Sequence, residues 1–438
     1  MEKAERLYQK MLAKGFDTTT AANLGVCLIQ RNEFGRAAYI LKQAVESGGD
    51  IDAQNNYGVC LKKLGRTDEA IDYFESLEEK NAAILTNLGS CYLERGDIKL
   101  AEQRLAAAVI NDPEHADAHW NLGLAQLAQR KWKGWENYDW GFKTKERKPR
   151  PYYQMWREWL GEDLSGKTIL VWGEQGVGDE ILFANCFDDI QKRAGKVVVD
   201  CHPRLAKVFE RSFPKIDFYG TRKSDDWSWT DDYQIDFQTP MGTLPRYLRQ
   251  KDKDFPTKGY LVPDSERVDY WRSRYPGIRV GLSWAGGSTK TSGEIRSFPL
   301  ERLLSLLTGP KRDGVSFISL QYTPCYHEIA ALASRYAVHL PHEEWALEDL
   351  TEQFNLIASC DLVISVITAA VHIAGAMDIP TWCLVPKGVS GAWKFTDGPD
   401  NIWHPSVRHF RQSKTYEWSD VICEVQKEFG PWLAQKQL

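Results

Sequence analysis

The stretch Val171–Phe183, VWGEQGVGDEILF, decides how this chain is read. An apolar run breaks into glycines, passes an Asp-Glu pair and turns apolar again, the pattern of a strand that turns tightly into a helix. Gly176 and Gly178 fit the first two positions of a G-x-G-x-x-G dinucleotide fingerprint, but Ile181 stands at the third. Asp200 is an ambiguous choice for the acidic residue that should end the next strand. A nicotinamide-type site is therefore disfavoured. What the turn does provide is Asp179 and Glu180 at the carboxyl end of a sheet, where open α/β folds bind their ligands.

Outward from this turn, short β-rich runs alternate with amphipathic ones. KTILVWG, KVVVDCHP and KIDFYG read as strands, separated by DEILFANCFDDIQKRAG and RLAKVFERSF as helices. The order restarts at IRVGLSWAGG and continues through LERLLSLLTG, VSFISLQ, LEDLTEQFNLIASC, DLVISV, AAVHIAGAMD and TWCLVP. Strand-helix alternation implies parallel sheets with crossover helices, and two such halves in tandem imply two Rossmann-like domains facing a cleft.

The first third follows another rule. NLGVCLIQRNEFGRAAYIL, NYGVCLKKLGRTDEAIDYF, NLGSCYLERGDIKLAEQRL and NLGLAQLAQRKWKGWENYD align Gly25, Gly58, Gly89 and Gly123 at spacings of 33, 31 and 34 residues. That period, with Ala37, Ala70 and Ala101 twelve positions after the glycine, is the tetratricopeptide helix-turn-helix pattern. The glycines and alanines predict close helix approach, and Leu41, Phe74 and Leu105 are expected to fill the space between neighbouring hairpins. Hairpins with one open apolar face must stack into an α-helical solenoid with a concave side. Cys27, Cys60 and Cys91 recur at one repeat position and read as buried small hydrophobes rather than a metal ladder. Asn23, Asn56, Asn87 and Asn121 also recur once per repeat. Their amides offer donor and acceptor together, so they either form a ladder for an extended peptide or satisfy neighbouring helices. Trp135 replaces the fourth alanine and is expected to cap the solenoid against the next domain.

Between the two parts, residues 132–159 are dense in aromatics, which predicts a packed junction rather than a flexible linker. Its basic run KTKERKPRP reads as a solvated loop. The boundaries expected are a repeat solenoid over 1–142, a junction over 143–166, an acceptor-side Rossmann-like domain over 167–265, a donor-nucleotide domain over 266–412, and a C-terminal helix packing back over 413–438.

Composition narrows the function classes. A formal charge of -5 over 438 residues gives no global attraction for nucleic acid or anionic membrane, so an anion site must be local. Nine cysteines without a C-x-x-C pair fit a reducing compartment and no zinc site. No run approaches the roughly 18 apolar residues a membrane span needs. A cytoplasmic protein is expected.

ILVWGEQGVGDEILFA, VGLSWAGG, RSFPLERL, FISLQ, DLVISVITAAVHIAGAMDIPTW and IWHPSVRHFRQ together resemble tetratricopeptide-repeat glycosyltransferases. The catalytic part of these enzymes is related to the ADP-heptose:lipopolysaccharide heptosyltransferase family. The resemblance runs from about residue 20 to 425. It implies a GT-B fold, an inverting mechanism, a nucleotide-sugar donor as substrate, and neither metal nor cofactor. The layout is also similar to that of protein O-GlcNAc transferases, an analogy of architecture.

The resemblance also assigns residues. Gly178-Asp179 matches the family's Gly-Asp at the start of the first helix, which makes Asp179 the base and Glu180 its neighbouring alternative; an ordinary helix N-terminal carboxylate is the competing role. Thr368 is expected at a helix N-cap, with the amides of Ala369 and Ala370 open to a diphosphate and His372 matching the family's histidine. Arg296 matches a basic residue near the phosphates, and Lys290 is a second cation. Trp284, Gly286 and Gly287 end a strand where glycines admit a ligand, and Gln321 is a candidate nucleotide contact. One departure stands out: Ile367 occupies the position where related enzymes carry Asp, which removes a polar contact to the donor.

The leading expectation is thus transfer of a sugar to a hydroxyl or other nucleophile, on a protein recruited by the repeats. A glycan acceptor, or a scaffold that no longer turns over, are the alternatives. Donor base and sugar, acceptor and oligomeric state are left open by the sequence.

Overall fold

The computed structural model describes residues 2–437 except 225, 287–292, 309–313, 337–338, 389–392 and 397. The chain forms two compact units: residues 1–126 with 136–144, and residues 127–135 with 145–438.

The first unit is helical throughout, running from Glu2–Leu12 through Thr18–Gln30, Phe34–Glu46, Ile51–Lys63, Thr67–Ser76, Ala82–Arg95 and Ile98–Asn111. Asp17, Asp50 and Asn81 cap three of these helices, each side chain accepting a backbone N–H within its first turn at 2.7, 2.9 and 3.0 Å. The repeat glycines are contact points inside each hairpin. A Cβ on Gly25 would lie 2.5 Å from Leu41, on Gly58 2.2 Å from the Phe74 ring, and on Gly89 2.5 Å from Leu105. Leu41, Phe74 and Leu105 thus sit on the glycine of their own hairpin, and they also share apolar clusters with the next one: Leu41 with Ala53 and Cys60, Phe74 with Ile84 and Leu88, Leu105 with Leu122 and Ala125. Ala37, Ala70 and Ala101 are fully buried. So are Cys60 and Cys91, whose thiols burial pushes up to about 12.

The second unit holds two parallel five-stranded sheets. The first contains β1 (Arg157–Glu158), β2 (Thr168–Trp172), β3 (Lys196–Asp200), β4 (Asp217–Tyr219) and β5 (Phe237–Pro240), in the order β1-β5-β2-β3-β4. The second contains β6 (Ile278–Ser283), β7 (Val315–Ser319), β8 (Leu362–Val366), β9 (Thr381–Val385) and β10 (Val407–Arg411), in the order β10-β9-β8-β6-β7. Strands β8 and β9 are buried along their whole length, as apolar runs covered on both faces must be. Each order reverses once, between β2 and β5 and between β6 and β8. Those switch points open crevices at the carboxyl ends of the strands. This pair of sheets has the GT-B layout.

Three features differ from the sequence expectation. The long helix expected after β2 is broken into Val177–Phe183, a 3-10 turn Ala184–Cys186, and Phe187–Arg193. The buried Arg249 explains the break: it takes the Asn185 side chain at 2.7 Å and the Asn185 carbonyl at 2.5 Å, removing that carbonyl from a helical ladder. The basic run is a solvated loop only in part: Lys143, Lys145 and Lys148 are exposed, whereas Arg147 is fully buried. Its junction also supplies β1, an edge strand. Trp135 lies within the second unit, where its indole donates to the Arg249 carbonyl at 3.2 Å and meets Trp393 and Trp403 edge-on. The last helix, Ser419–Lys436, places Val421, Val425 and Phe429 in the core under β6 and β8.

Candidate functional site

Beyond β2 the chain turns through Gly173 to Gly176 into the Val177–Phe183 helix, and three carboxylates meet three arginines there. Glu174 pairs with Arg147 at 2.9 Å, both side chains shut off from solvent, and Arg147 also reaches the Thr243 hydroxyl at 3.2 Å. Asp200, at the end of β3, pairs with Arg150 and accepts from Tyr153 Oη at 2.7 Å and from the Thr221 N–H and hydroxyl, both at 3.0 Å. Glu180 is buried, pairs with Arg222 and accepts the His202 N–H at 2.8 Å. Desolvation pushes its carboxyl up to about 7, against the pull of Arg222. A Cβ on Gly173 would lie 2.4 Å from Glu180 Oε1, so this carboxylate is packed under the turn.

Asp179 faces the other way. Its Oδ2 accepts the Gly176 N–H at 3.0 Å, tying down the helix start, and its Oδ1 pairs with Lys394 of the second sheet's lobe. Gly178, one residue before, packs on the other lobe: a Cβ there would sit 3.2 Å from His372 Cδ2 and 3.8 Å from Ala369 Cα.

The facing edge is built differently. Thr368 is extended and caps the Ala369–Ala376 helix, its hydroxyl accepting the Ala370 N–H at 3.2 Å. That bond corrects the expectation that the Ala370 amide is open to a ligand. Gly286 fits under Thr368, since a Cβ would lie 2.4 Å from its Cγ2. Arg296 donates to the Ile367 carbonyl at 3.3 Å, at the foot of the same helix, and burial lowers its guanidinium pKa. The Ile367 side chain points into an apolar cluster with Val371, Cys383, Val385 and Phe395, so this position serves the core beneath the helix. Gln321 is buried and spends its amide on the β6 exit, accepting from the N–H groups of Trp284 and Ala285 at 3.1 and 3.0 Å. Trp284 is itself buried, its indole donating to Glu328 at 2.8 Å. Both therefore shape the loop from beneath. Gly287 and Lys290 lie outside the described residues.

His372 is buried, with Nδ1 3.2 Å from His404 Nε2. Burial, and secondarily the charge of Lys394, push its imidazole down to about 3. It is a neutral ring in the folded protein.

Between the edges lies a cavity of about 610 Å³, lined by Val177, Gly178 and Arg204 from the first lobe and by residues including Gln321, Tyr322, Thr323, His342 and Ala369 from the second. Arg204 bridges the lobes by donating to the Glu348 carbonyl at 2.7 Å. Among the described residues no group of three or more His, Cys, Asp or Glu is placed to hold a metal ion, and no helix is long and apolar enough to cross a membrane.

Sequence reasoning passed over Lys394, Arg147, Glu174 and His404. Arg147 and Glu174 lie far apart in sequence and carried no signal. Lys394 sits inside the tripeptide Trp393-Lys394-Phe395, which belongs to none of the motifs quoted above. In the repeat unit Asn23 is exposed and Asn56, Asn87 and Asn121 are half-buried. Asn87 donates to Asn55 of the preceding repeat at 2.8 Å, so one member of the row is engaged within the solenoid.

Tetratricopeptide repeat family models match residues 23–84 and 61–127. The first part of the chain is a tetratricopeptide-repeat region. Over nearly its whole length the chain is similar to protein FlbA of Caulobacter vibrioides, 29% identical across 452 residues that cover 94% of this chain and 73% of that protein. Among solved structures it is similar to a glycosyl transferase of family 9 from Veillonella parvula, at a TM-score of 0.45 and 13% identity over 60% of this chain and 92% of that one. It is likewise similar to ADP-heptose lps heptosyltransferase II of E. coli, at a TM-score of 0.44 and 14% identity over 62% of this chain and all of the other.

Proposed function

We propose that this chain is an inverting, metal-independent glycosyltransferase, in which Asp179 takes the proton of an acceptor nucleophile as it attacks the anomeric carbon of a nucleotide-sugar. The observation that carries the reading is the placement of Asp179: one carboxylate at the start of its helix, turned across the gap to Lys394 of the other lobe, beside a glycine that packs against the Ala369–Ala376 helix. An in-line displacement needs a base on one side of the sugar and anion stabilisation on the other. The helix start at Thr368, with Arg296 at its foot, supplies that stabilisation. Neutral His372 is a ring that can hydrogen-bond a donor oxygen without adding charge. The half-exposed Tyr322 gives the cavity an aromatic wall fit for a nucleobase.

The repeat region recruits a polypeptide acceptor in this reading, through its row of asparagines. The Asn87–Asn55 bond favours a second reading, in which the solenoid docks a partner and the acceptor is a saccharide. Incubation of the full chain with a panel of nucleotide sugars, scored by release of nucleoside diphosphate, tests the enzyme. Release from one donor is expected. No release from any donor, with no thermal shift on adding nucleotides, would leave a scaffold. Mass spectrometry of co-expressed proteins separates the acceptors, since sugar mass found only on glycans removes the peptide row.

A further inference from the structure

Lys394 falls outside every motif in the sequence, yet the fold sets it against the candidate base. Its ammonium pairs with Asp179, and both side chains are 17% exposed, which places the pair at the edge of bulk water. The backbone carrying it is clamped. Trp393 meets Phe183 at 6.3 Å, Trp135 at 5.7 Å and Trp403 at 5.9 Å between ring centroids. Phe395 lies 5.7 Å from the His372 ring, and the Lys394 carbonyl accepts from Asn401 Nδ2 at 3.4 Å. Only the four-carbon stem of the lysine is left to swing, a motion its rotatable ammonium allows.

The start of the Ala369–Ala376 helix lies close by, because Gly178, beside Asp179, packs on Ala369 and His372. We propose that Lys394 is shared between two anions: it holds Asp179 while the donor is absent and moves to the diphosphate of a bound nucleotide-sugar, so that donor binding uncovers the base. This rests on the transferase reading above. The exchange is favoured because a diphosphate carries more negative charge than one carboxylate, and a partly desolvated ammonium gains from the stronger partner. It is useful because Lys394 occupies the Asp179 oxygen that faces the gap until the donor draws it away. In the transfer itself, the acceptor proton goes to Asp179, the acceptor–carbon bond forms, and the bond from the anomeric carbon to the diphosphate oxygen breaks. Its electron pair leaves with the diphosphate, where Lys394 meets the charge.

One lysine serving two anions makes a thermodynamic prediction that simple attraction does not. Binding of ADP, UDP, GDP, CDP and pyrophosphate to the full chain is measured by calorimetry for the native protein, Lys394→Met, Asp179→Asn and the double variant. Lys394→Met is expected to weaken diphosphate binding by about tenfold or more, the loss of one charge-assisted contact. Asp179→Asn is expected to tighten it by about threefold to tenfold, and by less than about twofold in the Lys394→Met background. Equal tightening in both backgrounds would mean plain repulsion between carboxylate and ligand and would overturn the sharing. Native affinity in Lys394→Met would also overturn it while leaving the nucleotide reading intact. If no diphosphate binds the native protein, the transferase reading falls and the exchange with it. Should Lys394→Met fail to melt cooperatively, Lys394→Gln takes its place, with Lys394→Arg expected to restore binding.

Discussion

The two lobes each bring a parallel five-stranded sheet to the gap, in different strand orders, and furnish it in opposite ways. At the first edge, side-chain charge organises everything: Glu174 on Arg147, Asp200 on Arg150 and Glu180 on Arg222 are three anchored pairs, and Asp179 is the carboxylate turned to the other lobe. At the second edge, small residues and backbone do the work, with Gly286 under Thr368, Thr368 over the Ala370 amide, and a neutral His372 behind. Buried pairs are poor sources of net stability but they fix position, because removing one partner leaves a charge stranded. An edge built that way can aim one acid. An edge of bare backbone and a helix start is suited to an anion instead.

The contrast can be broken at four places. Asp179→Asn keeps the bond from the Gly176 N–H and should lower kcat by about 10²–10⁴-fold, the usual worth of a general base, while nucleoside diphosphate still binds. A similar loss of binding would show that base and anion site are not divided between the lobes. Arg147→Met strands Glu174 at a site closed to solvent and should cost about 3–5 kcal/mol, read from chemical unfolding of the full chain. A near-neutral result would mean that the first edge is not held by charge. Gly286→Val drives a side chain into Thr368 and should cost about 1–3 kcal/mol, with weaker nucleotide binding as the more telling readout. Thr368→Val keeps the shape but loses the helix cap, for about 1 kcal/mol, seen as a small fall in Tm.

Much of the fold was legible because it is written in local pattern. The repeat period, the apolar runs of β2, β3, β6, β8 and β9, and the Thr368 cap all follow from residues within a few positions of one another. β1, β5 and β10 were not read as strands. β1 is two residues long, and its partner β5 reads FQTP, too short and polar to declare itself. The helix break at Asn185 was invisible for another reason: its cause, Arg249, is 64 residues away. The site divides along the same line. Asp179 and Glu180 are adjacent and chemically alike, and the sequence offered both as bases. Burial and Arg222 separate them in space, one packed under the turn and the other on the gap. Ile367, where related enzymes carry Asp, packs among Val371, Cys383 and Phe395, surroundings that lie far off in sequence or on the next helix turn and that the local pattern did not reveal.

The sequence by itself determined the solenoid period, the two alternating halves and the strand-to-helix turn at Gly176–Asp179, because hydrophobic periodicity and glycine placement act over one or two turns of chain. Only the tertiary structure decided which acid faces the other lobe, which arginines vanish into the interior, and that Lys394 meets Asp179 across 215 residues of chain. Charge pairing and desolvation depend on distance and burial in three dimensions, and neither quantity exists until the sheets have formed.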